Sequence, residues 1–417
     1  MTDAPTKTAY AEHDGGRGLA MRTRRNDFAD PEVRAADQAQ LLRRVAAHLV
    51  DGTTDLSEHE LIVDASQFLD PQRWEAEKEL FFRRTPQLAA YSAELPSPNT
   101  YTTKDIAGIP VVITRDAAGE LHAFRNVCSH RASNIATGCG EARRLACPYH
   151  NWVYALDGTL TGMPGREGFA GLDWADLGLP KLPVAEAYGF VYVALDPDVV
   201  VDVHEIFGDE LAGILACERV NDIVPKRLDQ HMAWECNWKL TYDTFCENYH
   251  FVFLHKNTFG DPGPVVNNLM VADRWGWHGR ETMCPQPLRD LVLAGDDFSD
   301  QSMGIAYFLY PNAILIVSEI HQEMFRIYPG DRPGTSYLYQ TCALYKDTSF
   351  ADDEEVSTMV YDAIRVALSD EDAPMAGSIQ HKLDLGIVDR LVYGRNELIL
   401  HHNHEGWDTE LAAFIGS

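Results

Sequence analysis

Between Asp30 and Asp51 the run DPEVRAADQAQLLRRVAAHLV sets apolar side chains at Val33, Leu41, Leu42, Val45 and Leu49. That spacing predicts an amphipathic helix, capped by Asp30, with Pro31 at its first position and a stop near Asp51-Gly52. Asp70-Pro71 opens a second helix in the same way, carrying Trp74, Leu80 and Phe81. From about Asn99 the texture changes. TYTTKDIAGIPVVITRDAAGELHAFRNVCSH breaks into short β-rich runs divided by AG and DAAGE, a meander of strands that continues to about Gly162 with LDGT as a turn. Beyond GMPGREG, GFVYVALDP reads as a buried strand and the stretch near Glu205 to Cys217 as a helix.

Residues 231 to 260 predict helix with aromatic content. MGIAYFLYPNAILIVSEIHQEMFRIYP and TSYLYQTCALY predict the strands of a large antiparallel sheet. The last fifth returns to helix in DEEVSTMVYDAIRVAL, DAPMAGSIQHKLD and a terminal DTELAAFI. No repeat interrupts this order. The pattern predicts an α+β fold: an arm and helix over residues 1–59, a small β-sandwich over 60–170, and a larger domain over 171–417 with an antiparallel sheet flanked by helices.

A chain of 417 residues, 45% hydrophobic and 24% charged, has an ordinary supply of core. Its formal net charge of −28 is not ordinary, and it argues against nucleic acid or an anionic membrane as the main partner. High solubility, or docking of a basic redox partner, accounts for it. No apolar run reaches the roughly 20 residues of a membrane span. Arg24-Arg25 leads into NDFADPEVRAADQ rather than an apolar segment, so neither a secretory nor a twin-arginine signal is expected. Eight scattered cysteines do not form a disulfide framework, which points to a reducing cytoplasm. Cys139, Cys217, Cys236, Cys246, Cys284 and Cys342 are expected to be small buried hydrophobes.

The other two cysteines sit beside histidines. NVCSHRAS holds Cys128 and His130, CPYHNWVYALDGTLTG holds Cys147 and His150, and 16 residues separate His130 from Cys147. A zinc finger usually groups its cysteines before its histidines. Here each loop offers one thiolate and one imidazole, as a 2Fe–2S centre with two cysteines on one iron and two histidines on the other requires. A Cys2His2 zinc site is the alternative. With these flanks and the DGTL turn, the chain resembles the Rieske family. Rieske proteins of cytochrome bc-type complexes carry a further, disulfide-linked cysteine in each loop. Ser133 and Tyr149 stand at those places here, so the similarity is to the lower-potential type of oxygenases and their ferredoxins.

More than half of the chain follows Gly162, far more than a ferredoxin needs. Within NWKLTYDTFCENYHFVFLHKNTF (residues 237–259), Asp243, Glu247 and His250 follow an i, i+4, i+7 pattern that would line one helix face. His255 does not join them, because five residues at about 100° each leave it roughly 140° away. Either the helix is distorted there or it ends. A bare His-x4-His is commonly a pair of unrelated histidines. Two histidines and a carboxylate, however, are the usual holders of an O2-activating non-haem Fe(II), and spacing alone nominates Glu247 as the carboxylate.

Together with Asn237-Trp238-Lys239 and Tyr249-His250, the segment resembles the catalytic motif of Rieske non-haem iron oxygenases. That resemblance implies iron ligands His250, His255 and a downstream aspartate in an acidic pair followed eight residues later by glutamine. Glu371-Asp372 and Gln380 supply the pattern, which makes Asp372 the ligand and Asp370 its alternative. Glu247 is then freed to bridge His250 to the cluster histidine His150 of a neighbouring subunit, which implies a ring, usually a trimer. Many members carry aspartate there; glutamate, and Asp243, are similar to the branch acting on quaternary ammonium compounds such as carnitine, choline and glycine betaine. Pro86 departs from the family, which commonly has tryptophan at this place.

The implied protein is the terminal oxygenase of a multicomponent system. It would use a 2Fe–2S cluster, mononuclear Fe(II) and O2 to mono-oxygenate, demethylate or dihydroxylate a small organic substrate, a quaternary amine or an aromatic. The chain shows no GxGxxG fingerprint, so NAD(P)H would act only through a separate flavin/iron–sulfur reductase or a ferredoxin. A Rieske electron carrier without oxygenase activity is the competing reading. His401, His402 and His404 in LHHNHEGW are expected to lie at the surface or at a subunit contact, with a further metal site as the alternative.

Overall fold

The computed structural model describes residues 31–260, 263–348 and 354–416. The first helix runs Pro31–Asp51, and Gly52 leaves it with φ +63°; the expected cap Asp30 lies outside the described residues. Leu41, Leu42 and Val45 are buried along its stripe. Arg44 reaches Asp273 at 2.6 Å and Asp55 at 3.0 Å, which ties the helix to the strand Val265–Trp275.

Asp70 caps the helix Pro71–Glu77, accepting the Gln72 N–H at 2.8 Å. A π-helical turn, Lys78–Arg84, continues it and buries Phe81 and Phe82. Glu77 is fully buried, where a lone carboxylate would be costly. It is matched by Arg73, Lys239 and the Trp238 indole N–H. The strand Leu61–Asp64 pairs antiparallel with Arg390–Tyr393. Residues 61–84, grouped by the sequence pattern with the small β domain, are therefore fastened to the C-terminal half of the chain.

The small domain has a five-stranded sheet in the order Lys181–Leu182, Leu121–Arg125, Ile109–Arg115, Thr100–Ile106, Cys139–Glu141. Facing it is a three-stranded sheet of Arg144–Ala146, Val153–Ala155 and Leu160–Gly162. Val112, Phe124, Ile135, Leu145, Tyr154 and Leu160 form the core of this domain. A third sheet joins Val184–Ala187, Phe190–Val193 and Gln87–Tyr91. Cys139 is exposed on its short edge strand rather than buried; the other five cysteines expected in the core are there.

The larger domain is built on seven antiparallel strands in the order Ile223–Trp234, Ser336–Tyr345, His321–Pro329, Ala313–Val317, Gly304–Leu309, His278–Pro285, Val265–Trp275. Six of them form one continuous meander; the long β-type runs foreshadow its last four strands, whereas Val265–Trp275 and His278–Pro285 lie outside those runs. The register aligns Ala272, Glu281, Ala306, Ile316, Glu323 and Cys342 in one row across the sheet. Side chains of such a row point to one face. Two residues along on two of these strands, Phe308 and Phe325 point the same way, against Tyr242 and Phe245. The row thus lies on the sheet face beneath the segment that carries the paired histidines.

Residues 231–260 correct the helical expectation. Residues 231–234 finish a strand, and only two short helices follow, Trp238–Asp243 and Phe251–Leu254. The C-terminal helix Leu398–Gly416 begins earlier than DTELAAFI suggests and buries His401, His402 and His404. No helix among the described residues is long and apolar enough to cross a membrane.

Candidate metal centres

The two Cys-His loops are built alike. In the first, the Cys128 N–H donates to the Ser133 carbonyl at 2.8 Å and the Ala132 N–H to the Cys128 carbonyl at 2.9 Å. In the second, the Cys147 N–H donates to the Trp152 carbonyl at 2.8 Å and the Asn151 N–H to the Cys147 carbonyl at 2.9 Å. Ala132 and Asn151, each four residues after its cysteine, take left-handed φ of +59° and +56°. A short loop can present two side chains to one point only if the backbone reverses within it, and these residues make the reversal.

The loops meet. The His130 and His150 rings are 4.5 Å apart, and Trp152 stacks on His130 at 4.9 Å. Cys128 and Cys147 are buried, and the Tyr154 hydroxyl lies 3.3 Å from Cys128 Sγ. Burial pushes the Cys147 thiol up, but N–H groups of Tyr149 and His150 and the neighbouring Cys128 outweigh it and bring it below its usual value. Nδ1 of both His130 and His150 is buried without a hydrogen-bond partner. A buried imidazole nitrogen left unpaired is costly unless something else binds it. Two inward Nδ1 atoms and two cysteines fit a 2Fe–2S cluster of the Rieske type, with the cysteines on one iron and the histidines on the other.

The second centre lies in the larger domain. Asn237 caps the helix Trp238–Asp243, which ends at Asp243. His250 and His255 then bracket the one-turn helix Phe251–Leu254, as its N-cap and C-cap. One helix ends at Asp243 and the next begins only after His250, so Asp243, Glu247 and His250 do not share a helix face. Asp243 instead turns inward: the Tyr393 hydroxyl donates to it at 2.7 Å and His404 Nε2 lies 3.1 Å away. This pins the end of the helix to the C-terminal helix.

His250, His255 and Asp372 form a group whose ligand atoms all lie within 4.8 Å of one another. Their Nε2 atoms are 3.1 Å apart, and Asp372 Oδ1 is 3.4 Å from His255 Nε2 and 3.7 Å from His250 Nε2. The outer nitrogens decide what faces the middle. His250 Nδ1 bonds to Glu247, which also accepts the His250 backbone N–H at 3.1 Å; His255 Nδ1 bonds to Glu371 at 2.7 Å. A carboxylate can only accept, so each Nδ1 carries the proton and each Nε2 presents a lone pair. Two lone pairs and a carboxylate converge with no proton between them, an arrangement that a cation stabilises. Two imidazoles and one carboxylate suit non-haem Fe(II).

Burial raises the Asp372 carboxyl to about 7, with His250 acting in the opposite direction. Burial lowers His250, but the Glu247 carboxylate more than offsets it and leaves His250 above its ordinary value. Asp372 closes the π-helical turn Ala367–Asp372, and the helix Ala373–Asp384 begins directly after it. Gln380 on that helix accepts the Asn237 N–H at 2.9 Å, which holds the segment carrying Asp372 to the segment that leads to the two histidines. Asp370 is exposed and accepts from the Ser369 hydroxyl at 2.8 Å, away from the histidines.

His401 and His402 accept neither of the roles expected of them. They bond to backbone carbonyls of Gly394 and His278 at 3.0 and 3.2 Å, and His404 to Asp243, so all three are core residues and no metal group among the described residues includes them. The apolar residues on both sides of HHNH are the signal that they belong to a buried helix. Glu371 as a partner of His255 is the residue sequence reasoning missed. Its place next to Asp372 in the acidic pair is visible in the sequence, but the direction of its side chain is not.

A Rieske [2Fe-2S] domain model matches residues 85–183, and the catalytic-domain model of the ring hydroxylating alpha subunit matches residues 219–413. The chain is 34% identical over 208 residues to choline monooxygenase of Beta vulgaris, covering 48% of this chain and 45% of that protein. It is 31% identical over 218 residues to the carnitine monooxygenase oxygenase subunit of Escherichia coli (strain K12), covering 52% and 55%. The chain thus spans about half the length of these curated relatives. Its fold is similar to that of the quaternary ammonium Rieske monooxygenase CntA in complex with L-carnitine (TM-score 0.70, 20% identity, 89% and 98% of the two chains). It is also similar to that of naphthalene 1,2-dioxygenase from a Rhodococcus species (TM-score 0.69, 18% identity, 90% and 98%). With a Rieske domain followed by a ring-hydroxylating catalytic domain, the chain belongs to the Rieske non-haem iron oxygenases, as an α subunit.

Proposed function

We propose that the protein is the terminal oxygenase of a multicomponent system, oxidising a small quaternary ammonium compound with O2 and electrons from a separate reductase or ferredoxin. The observation that carries this reading is the joint presence of the two Cys-His loops and the His250, His255 and Asp372 group on one chain. A pure electron carrier would have no use for the second set of ligands.

Cys128, Cys147, His130 and His150 would hold the cluster, and His250, His255 and Asp372 the iron. When bound, these groups supply one-electron transfer and the activation of O2. The chain's own part is to fix their surroundings. Glu247 holds the proton of His250 on Nδ1 and keeps a half-buried carboxylate at the edge of the site. From there it would accept the Nε2–H of His150 from a second copy of the chain, in a ring that we take to be a trimer. A solved structure of a quaternary ammonium Rieske monooxygenase (TM-score 0.68, 20% identity) is described as giving insight into inter-subunit electron transfer, which supports this arrangement.

The substrate class draws on the choline and carnitine relatives and on the sheet face beneath the ligand segment. Glu281 and Glu323 share one row there, fully or almost fully buried. Both oxygens of Glu281 and one oxygen of Glu323 have no hydrogen-bond partner, though His321 Nε2 lies 3.7 Å from that Glu323 oxygen. Burial pushes both carboxyls up, Glu323 to about 8. A cation bound above this face would offset that burial; a neutral aromatic would not.

The test is O2 uptake with a surrogate reductase. Choline, carnitine or glycine betaine should stimulate uptake above the substrate-free rate, with formation of an oxidised product. Stimulation by aromatic acids or hydrocarbons alone would overturn the substrate class. A protein that accepts electrons but never consumes O2 would overturn the oxygenase reading.

A further inference from the structure

We propose that Glu371 is a positioning residue for the mononuclear iron: its carboxylate holds His255 as the Nδ1–H tautomer and makes its Nε2 a stronger donor. The inference rests on the reading of His250, His255 and Asp372 as iron ligands. Glu371 Oε2 lies 2.7 Å from His255 Nδ1, and both groups are largely shielded from solvent, with 14% and 3% of their side chains exposed. In this it is the counterpart of Glu247, which holds Nδ1 of His250.

Neighbouring residues of an α-helix point about 100° apart, so two consecutive acids do not ordinarily serve one site. Here they do. Asp372 Oδ1 approaches the inner face of His255 at 3.4 Å, while Glu371 reaches round to its outer nitrogen. Both sit in the π-helical turn Ala367–Asp372, closed by the Ala373 N–H on the Leu368 carbonyl, five residues back. Such turns insert one residue into a helix and are frequent at functional sites. This one brings both acids onto the same histidine.

Among the described residues, no hydrogen bond other than that of Glu371 fixes the His255 proton to its outer nitrogen. An Nε2–H tautomer would point a proton at the metal. With Glu371, the lone pair faces the centre before any ion arrives, and the carboxylate polarises the Nδ1–H bond so that Nε2 donates more strongly.

The experiment uses the full chain with its Rieske cluster retained and the mononuclear site emptied by a chelator. Fe(II) is then titrated back, and the site is read by electron paramagnetic resonance with nitric oxide as probe. Glu371→Gln keeps the shape and a hydrogen-bond acceptor but removes the charge. It should keep the Rieske spectrum, still fill at saturating Fe(II), raise the Fe(II) Kd by about 10–100-fold and alter the nitric-oxide signal. Glu371→Asp keeps the charge and should retain most of the affinity. Unchanged Kd and signal in Glu371→Gln, or equal losses in both variants, would overturn the proposal. Complete loss of iron in the Glu371 variants, with iron retained in Asp372→Ala, would make Glu371 a ligand and overturn it as well. A wild-type chain that takes up no Fe(II) beside its cluster would instead refute the underlying site.

Discussion

Glu247 grips His250 twice, through the imidazole Nδ1–H and through the backbone N–H three residues further along the chain. Both oxygens of the carboxylate are engaged by the same residue, so this acid is held in one place beside His250. Glu247→Gln should therefore leave both metal sites loaded while turnover with reductase falls by roughly 100-fold. Iron analysis, the Rieske spectrum and O2 uptake measure the three quantities. A wild-type rate in this variant would remove Glu247 from the electron route.

Asp372 is buried against both histidines, whereas Asp370 is exposed beside Ser369. Asp372→Ala is expected to lose the mononuclear iron and keep the visible Rieske spectrum. Asp370→Ala should hold iron as the parent does. Iron content separates the two, and full occupancy in Asp372→Ala would return the assignment to another acid.

His278 accepts the Tyr310 N–H at Nδ1 (3.1 Å) and donates Nε2–H to the Ile206 carbonyl (2.7 Å), so it is a neutral imidazole. Burial lowers its pKa to about 4 from 6.5. Above pH 6.5 folded and unfolded chains are alike at this group. Below it only the unfolded chain takes up the proton, so stability declines as pH falls from 6.5 towards 4, by on the order of 3 kcal/mol at the lower end. The buried His402, also lowered to about 4, acts in the same direction. Melting temperatures should drop across this range. His278→Asn, though less stable at pH 7.5, should show a shallower drop; an equal slope would exclude His278 as a source.

Gly158 turns the hairpin between Val153–Ala155 and Leu160–Gly162 at φ +86°, and a Cβ there would stand 2.3 Å from Phe124 Cε1. Gly158→Ala meets both backbone strain and a core ring, at a cost of about 1–3 kcal/mol. Because the hairpin begins directly after the Cys147–Trp152 loop, the variant should lose its Rieske absorbance at a lower temperature than the parent. Unaltered thermal bleaching would show that the ring yields freely.

Much of this protein is determined by its sequence alone, because the features concerned are local. Cysteine and histidine two or three residues apart present both donors from one loop, whatever surrounds it. The Pro31 and Asp70-Pro71 helix starts and the four strands between Gly304 and Tyr345 follow from side-chain period and turn chemistry, which need only a few neighbours. Long-range pairing decided the rest. The pattern of Asp243, Glu247 and His250 fits one helix face, yet Tyr393 and His404, 150 and 161 residues away, hold Asp243 where the helix ends.

The choice of Asp372 over its acidic neighbours is likewise tertiary. Three consecutive acids are equivalent by charge, and only the π-helical turn sends one to solvent, one to the outer nitrogen of His255 and one to its inner face. By residue type the histidines of LHHNH suit a surface or a metal, and packing against Gly394, His278 and Asp243 makes them core. Chemical type is written in single residues and short spacings. The direction in which each side chain acts is set by packing partners that the chain brings together only on folding.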